Sequence, residues 1–235
     1  MIRHSRRILL SFFLMPACLY ALPAYAQQTA IPPGFVYVED FIPDIKIDLR
    51  YYSKNNFVGE RIDGYLKPRC ILTKEAAAAL KGVQEDLKPF GLGLKIFDAY
   101  RPRQAVAHFV RWAKDIKDTR MKKRFYPKVD KANLFRDEYI AEKSGHSRGS
   151  TVDITIINLS GKNPGAEIDM GTGFDFFGPE SRPENPTMSP AQHAHRLLLK
   201  VLMDRHDFNP YPMEWWHFTL RNEPFPETYF DFPVQ

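Results

Sequence analysis

Residues 144–153 read Ser144-Gly145-His146-Ser147-Arg148-Gly149-Ser150-Thr151-Val152-Asp153, and the stretch changes character halfway along. Its first half is polar and punctuated by glycine, as turns are. Its second half opens Thr151–Ile157, a β-branched run of the kind that forms a buried strand. Alternation along that strand puts Asp153 and Thr155 on one face, and Val152, Ile154 and Ile156 on the other. Asp153 can therefore face a polar cleft while its neighbours fill a core. His146 lies seven residues earlier, across Gly149, where a turn can bring it back toward the carboxylate.

A second segment, Glu214-Trp215-Trp216-His217, falls on a predicted aromatic strand over Met213–Leu220. Together the two segments offer two imidazoles and two carboxylates at strand ends beside flexible glycines. Three such groups can bind zinc in an open tetrahedral site that keeps a position for water. A carboxylate held close to the metal, but off it, can act as general base. Spacing alone leaves this open, because a histidine near an aspartate is also a common hydrogen-bonded pair. Glu214 and His217, three apart, fall on opposite faces of a regular strand, so a turn, bulge or strand end is required there.

The same letters hold a rival. Gly145-His146-Ser147-Arg148-Gly149 matches the G-x-S-x-G nucleophile elbow, and Asp175 and His217 follow in the chain order of a serine hydrolase triad. That elbow needs a strand before it and a helix after it. Here charged, helical-looking residues 136–143 precede it and a strand follows, so the context is inverted. Asp98-Ala99-Tyr100-Arg101-Pro102 joins a predicted strand to a helix start. It can present Arg101 where a guanidinium would stabilise a developing oxyanion, although a structural salt bridge is the plainer use of an arginine. His193 and His195, two apart on a predicted helix, point to different faces; with His108 and His206 they read as surface or packing residues. Met170-Gly171-Thr172-Gly173-Phe174-Asp175 is glycine-rich but lacks a phosphate-loop lysine, which argues against nucleotide binding.

Composition sets the frame. The 235 residues are 44% hydrophobic and 26% charged, with 19 Pro, 13 Gly and two Cys, an ordinary globular balance that excludes disorder, collagen and coiled coil. Arg3, Arg6 and Arg7 precede an apolar stretch, Ile8 to Leu22, and Ala24-Tyr25-Ala26 supplies small residues for cleavage before Gln27. This is the pattern of an export signal. Pro16 and Pro23 interrupt the run before the ~20 apolar residues a membrane anchor needs. Met15-Pro16-Ala17 fits a lipoprotein signal at Cys18 poorly. Without residues 1–26 the 33 basic and 28 acidic groups become 30 and 28, a net charge of +2. Cys18 leaves too, so Cys70 has no intrachain partner, and the protein is expected to work in an oxidising compartment without disulfides. The remaining chain, roughly 209 residues, is long enough for a core without staples. Between Lys114 and Lys131, eight basic residues face three acidic ones. This reads as the solvated face of a helix and its following loop, and no aromatic interleaving suggests nucleic acid.

Residues 27–45 are Pro-rich and read as an extended arm, with a strand near Phe35–Val38 or Ile45–Leu49. Thr73 caps a predicted helix through Lys88, with Ala76, Leu80, Val83 and Leu87 on one face and Pro89 as its stop. Leu92–Phe97 reads as a strand. A helix starting at Pro102 has the stripe Val106, Phe109, Val110, Ala113 and Ile116. Ser189-Pro190 starts another helix, which carries Leu197, Leu198, Val201 and Leu202 and ends at Asn209-Pro210. Strict βαβ alternation is missing, so the expectation is a single α+β domain over 27–235.

Ser-x-His-x-x-Gly-x-x-x-Asp followed by Glu-x-x-His resembles the zinc D-alanyl-D-alanine dipeptidases of the VanX type, within the fold shared by D,D-carboxypeptidases and hedgehog domains. Tyr51-Tyr52-Ser53-Lys54-Asn55-Asn56-Phe57-Val58-Gly59, Asp98–Pro102 and Met170–Asp175 resemble the dipeptidase branch. The likeness runs in order from about Phe41 to Thr219. It implies an α+β fold with a mainly antiparallel sheet, flanking helices and one zinc ion per chain. His146, Asp153 and His217 would be its ligands, and Glu214 the general base toward zinc-activated water. Arg101 would stabilise the tetrahedral transition state, while Tyr51 and Ser144 would line the substrate pocket. Asp175 would receive the ammonium group of a free D,D-dipeptide and so reject blocked chains. The familiar resistance enzymes of this kind act in the cytoplasm. An exported, periplasmic relative could not intercept cytoplasmic wall precursors, so scavenging of D-Ala-D-Ala or trimming of wall-derived peptides fits better. A D,D-carboxypeptidase with a more open amino-side pocket is the main alternative. A non-catalytic wall-binding module on the same fold would lack catalytic groups that this chain has. Neither nucleic acid nor stable membrane insertion after cleavage is expected, and oligomeric state stays open.

Overall fold

The computed structural model describes residues 31–235; the expected signal segment, with Cys18, lies outside them. Chain order runs β1 (Phe35–Tyr37), α1 (Val38–Phe41), β2 (Lys46–Ile47), β3 (Ile71–Thr73), α2 (Lys74–Leu87) and β4 (Leu92–Asp98). It continues through α3 (Arg103–Lys114), α4 (Lys122–Phe125), β5 (Thr151–Asn158), α5 (Pro190–Arg205), β6 (Phe208–Tyr211) and β7 (Glu214–Leu220). The main sheet has the order β2-β4-β5-β7-β6, and β1 and β3 form a separate pair. Among the described strands only β2 and β4 pair in parallel; the other strand pairings are antiparallel. The expected α+β class holds.

The β-branched run becomes the central strand β5, and Thr151 through Ile157 are all buried. Alternation is therefore not a polar and an apolar face here, because helices and loops cover both sides. Helix α2 is capped as its sequence suggests, with the Thr73 hydroxyl accepting from Ala76 N at 3.3 Å. It buries Ala76, Leu80, Val83 and Leu87. Helices α2 and α5 touch one another, α2 also packing on β4 and α5 on β6 and β7.

Three element readings need correction. Residues 31–45 are not simply an extended arm, since β1 and α1 lie within them and bury Phe35, Val38 and Ile42. Helix α3 stops at Lys114, so Ile116 falls outside it and is 61% exposed, while Ala105 and Trp112 join the buried face. Helix α5 begins at the Ser189 capping box but ends at Arg205, and Asn209-Pro210 belongs to edge strand β6, where proline is tolerated. Its apolar residues Leu197, Leu198 and Val201 face outward; Arg196, Leu199 and Met203 face inward. The basic segment also differs. Lys131 is buried, donating to the carbonyls of Asp115 and Asp118 at 2.8 and 2.7 Å, with its ammonium over the Trp112 ring.

The last residues fold back over the first ones described. Phe225, Phe230 and Phe232 surround Phe35, with ring centroids 5.0 to 5.7 Å away. Tyr100 OH donates to Phe232 O at 2.8 Å, and Val234 N donates to Gly64 O at 2.8 Å. No helix among the described residues is long and apolar enough to cross a membrane.

Gly149 closes the turn before β5 with φ +84°, and a Cβ there would come within 2.2 Å of the Phe35 ring. Gly165 has the same φ with nothing within 4 Å of its Cβ position. Gly165→Ala is expected to show only the cost of left-handed backbone, about 1–2 kcal/mol. Gly149→Ala should cost about 1–3 kcal/mol more through overpacking. Thermal melts of both variants test this, and equal losses in Tm would remove the Phe35 contact from the account.

Candidate metal centre and its pocket

A short 3₁₀ turn, Gly145–Arg148, ends at Gly149 and feeds β5. This reversal carries His146 back over the strand. In the β5–β7 ladder, Asp153 stands directly opposite His217. The spacing problem at Glu214 and His217 is solved by a register irregularity. Pairing between β6 and β7 passes from Pro210 with Phe218 to Tyr211 with Glu214, leaving Trp215 to His217 without β6 partners. The strand bends, and Glu214 Oε2 comes to 3.6 Å from His217 Nδ1. This is a bulge, as the three-residue spacing requires.

His146 Nε2 lies 3.2 Å from Asp153 Oδ2 and 3.3 Å from His217 Nδ1. His217 Nδ1 is 3.1 Å from Asp153 Oδ1. With metal–ligand bonds of about 2.0–2.2 Å, the edges of a tetrahedron are about 3.3–3.6 Å, so these separations suit one small cation. The other face of His146 is committed. Its Nδ1 sits 2.7 Å from Ala99 O, and a carbonyl only accepts, so the ring proton is on Nδ1 and Nε2 keeps its lone pair for the cluster. Asp153 Oδ1 is buried without a well-formed hydrogen bond, an acceptor left for some other partner. Among the described residues, this trio is the group with metal-binding geometry.

The electrostatics follow from burial. Burial alone would push the Asp153 carboxyl up, but His146 and His217 hold it well below the usual carboxylate range. Burial lowers His146, whereas His217 is raised against burial by its contact with Asp153. Glu214 is pushed up to about 7, chiefly by burial. Arg101 sits among these groups. Its Nε donates to Asp98 Oδ2 at 2.9 Å, its Nη1 to Ser144 Oγ at 3.4 Å, and its Nη2 is 3.5 Å from Asp153 Oδ2. Asp98 is fully buried and accepts from Tyr65 OH at 2.6 Å. Sequence reading passed over Asp98 as a functional group. Its only signal was a position three residues before Arg101, outside any helix.

One cavity of about 250 Å³ brings together Tyr51, Arg101, Ser144, Asp153, Asp175, Glu214 and His217. His146 is buried behind it. Glu138, Tyr139, Lys143 and Tyr211 also line it, and none of these was singled out from the sequence. Asp175 is 5% exposed with φ +60°. Burial, together with the charges of Asp153 and Glu214, raises its pKa well above the usual range. Among the described residues its one side-chain donor is Tyr51 OH, at 3.1 and 3.0 Å from the two oxygens. Ser147 is buried, and its hydroxyl has no hydrogen-bond partner among the described residues. With no histidine on that hydroxyl, and a strand rather than a helix after it, the serine-hydrolase reading fails.

Known proteins resemble this chain along most of its length. Residues 32–235 match the peptidase M15 family profile described as D-ala-D-ala dipeptidase. A D-alanyl-D-alanine dipeptidase of Streptomyces coelicolor is 41% identical over 200 residues, 85% of this chain and 98% of that protein. The Enterococcus faecalis dipeptidase is 37% identical, covering 86% of this chain and 98% of its own. The Escherichia coli enzyme is 33% identical, over 76% and 80%. Among solved structures, a vancomycin-resistance D,D-pentapeptidase in complex with Zn(II) overlaps with a TM-score of 0.40 and 13% identity, over 67% of this chain and 77% of that one. A profile match running from residue 32 to the last residue, with three relatives above 30% identity, places this chain in the D-Ala-D-Ala dipeptidase family of M15 peptidases.

Proposed function

We propose that this enzyme hydrolyses the D-Ala-D-Ala dipeptide to two D-alanines with one zinc ion per chain, held by His146, Asp153 and His217. Two imidazoles and one carboxylate are a fitting donor set, and three protein ligands leave a position free, as in catalytic rather than structural sites. The unfilled acceptor Asp153 Oδ1 supports the same assignment. Zinc in such a site supplies Lewis acidity, polarising a carbonyl and lowering the pKa of water.

The protein's own groups divide the remaining work. Glu214, beside His217 but outside the ligand trio, accepts a proton from the attacking water and returns it to the leaving D-alanine nitrogen. Arg101, clamped by Asp98, directs its remaining N–H groups into the cavity, where negative charge develops on the scissile carbonyl oxygen. Tyr51 holds Asp175, and Asp175 binds the substrate ammonium. Ser144, on Arg101, lines the cavity where the other end of the dipeptide lies.

The observation that carries the dipeptidase reading over a carboxypeptidase is Asp175. A buried carboxylate with one neutral donor and no ion-pair partner among the described residues is complementary to a free ammonium group. An acylated nitrogen would leave it buried and unsatisfied. A cavity of about 250 Å³ also falls below the ~300–1,000 Å³ of sites for larger ligands. The signal-like residues 1–26 support export, which points to scavenging or wall turnover outside the cytoplasm; cell fractionation that places the protein in the cytosol would remove that role.

Hydrolysis of D-Ala-D-Ala and N-acetyl-D-Ala-D-Ala by purified protein, with and without a chelator, tests the central reading. Chelator-sensitive cleavage of the free dipeptide alone is expected. Cleavage of the blocked peptide would move the enzyme to the carboxypeptidases. Glu214→Ala should keep its metal, measured by atomic absorption, and lose about 10²–10⁴-fold in kcat; wild-type turnover would end its assignment as base. Arg101→Ala should lower kcat by about 10²–10³-fold with a smaller rise in KM. An effect confined to KM would make Arg101 a binding residue instead.

A further inference from the structure

Arg196 lies outside the cavity and is 3% exposed on the inward face of α5. Arginine is almost never this buried without an acidic partner, yet among the described residues no carboxylate forms a salt bridge with it. Its guanidinium spends one donor on each of three backbone carbonyls. Nε bonds Met170 O at 2.7 Å, Nη1 bonds Arg182 O at 2.6 Å, and Nη2 bonds Glu180 O at 3.0 Å. Those carbonyls bracket Asp175, five residues before it and five and seven after it. Asp175 itself holds φ +60°, a conformation that a non-glycine residue keeps only when its surroundings impose it.

We propose that Arg196 is a positioning residue for the ammonium subsite, clamping the 170–182 loop so that the Asp175 carboxylate faces the cavity. The proposal rests on the reading of Asp175 given above. A planar fork with fixed N–H directions can hold three diverging carbonyls at once; a lysine ammonium on a flexible stem cannot. The clamp is continuous with the catalytic strand. Trp215, between Glu214 and His217, donates Nε1–H to Thr172 Oγ1 at 2.8 Å, and Thr172 is 3.1 Å from Ser181 Oγ within the same loop. Other ties to α5 do not involve Arg196. Gln192 Nε2 bonds Asp169 Oδ2 at 2.9 Å, and His195 Nδ1 lies 2.7 Å from Asp169 O. Removing Arg196 therefore releases the two ends of the loop, at Met170 and at Glu180 and Arg182, while Asp169 just before it stays attached to α5.

The test compares wild type, Arg196→Lys, Arg196→Met and Asp175→Ala, all as full-length zinc-loaded protein. kcat and KM are measured for D-Ala-D-Ala, with the preference for it over the N-acetylated dipeptide and the bound zinc. Arg196→Lys, the milder change, should raise KM about tenfold, keep kcat within about threefold, keep one zinc, and lose most of the preference. Arg196→Met should do the same more strongly. A merely structural arginine would lower the active fraction, so that kcat and zinc content fall together while KM and preference stay unchanged; that result overturns the proposal. Asp175→Ala separates the two levels. If it abolishes the preference but the Arg196 variants do not, the clamp is wrong and the ammonium reading stands. If Asp175→Ala leaves KM and preference at wild-type values, the ammonium reading fails and the clamp falls with it.

Discussion

Asp153 is a carboxylate on the middle strand of a five-stranded sheet, with 2% exposure. An isolated ion in such a place costs several kcal/mol, so the strand can hold it only if cations and donors close around it. Strand β7 supplies His217 in register, the turn ending at Gly149 returns His146, and the end of β4 brings Arg101 within 3.5 Å. His146 is buried and Arg101 largely so, and each has an acceptor of its own. His146 uses the Ala99 carbonyl, Arg101 uses Asp98, and Asp98 is satisfied by Tyr65. One buried charge thus organises a network reaching from β4 through β5 to β7, and this network forms the floor of the cavity.

Much of this was legible because chemistry-bearing residues stand at strand ends. The β-branched run named β5, Gly149 marked the reversal, and Thr73 and Ser189 marked two helix starts. What escaped the sequence depended on partners distant along the chain. Alternation on β7 separates Glu214 from His217, and only the slipped pairing with β6 reunites them. Asp98 carried no local signal beyond its place three residues before Arg101, because its value lies in Arg101, His146 and Tyr65 packing around it. On α5 the apolar residues form a stripe, but periodicity does not say which stripe meets the sheet. Arg196, Leu199 and Met203 do so, leaving Leu197, Leu198 and Val201 outside. A lone arginine in a helix reads as surface, and only the three carbonyls of the 170–182 loop show otherwise.

Under the proposed reading, selectivity comes from withheld satisfaction rather than from added contacts. Tyr51 offers Asp175 one proton, and its ring is fixed by edge and tilted contacts with Phe57, Tyr65, Phe109 and Phe174. The tyrosine cannot swing to give the carboxylate more. A ligand must bring the missing positive charge itself, and one that does not pays the desolvation of the site without recompense.

The return of the tail onto Phe35, Gly64 and Tyr100 also bears on when the fold can form. Val234 and Phe232 close contacts with residues more than a hundred positions earlier. Contacts of such separation slow folding, since their loop entropy is lost before they stabilise anything. On a ribosome, the groove around Phe35 stays open until synthesis has reached Phe225, Phe230 and Phe232. Until those three residues have emerged the domain is incomplete, with the Phe35 ring lacking its aromatic cover. Completion of the core around Phe35 waits on residues nearly two hundred positions later.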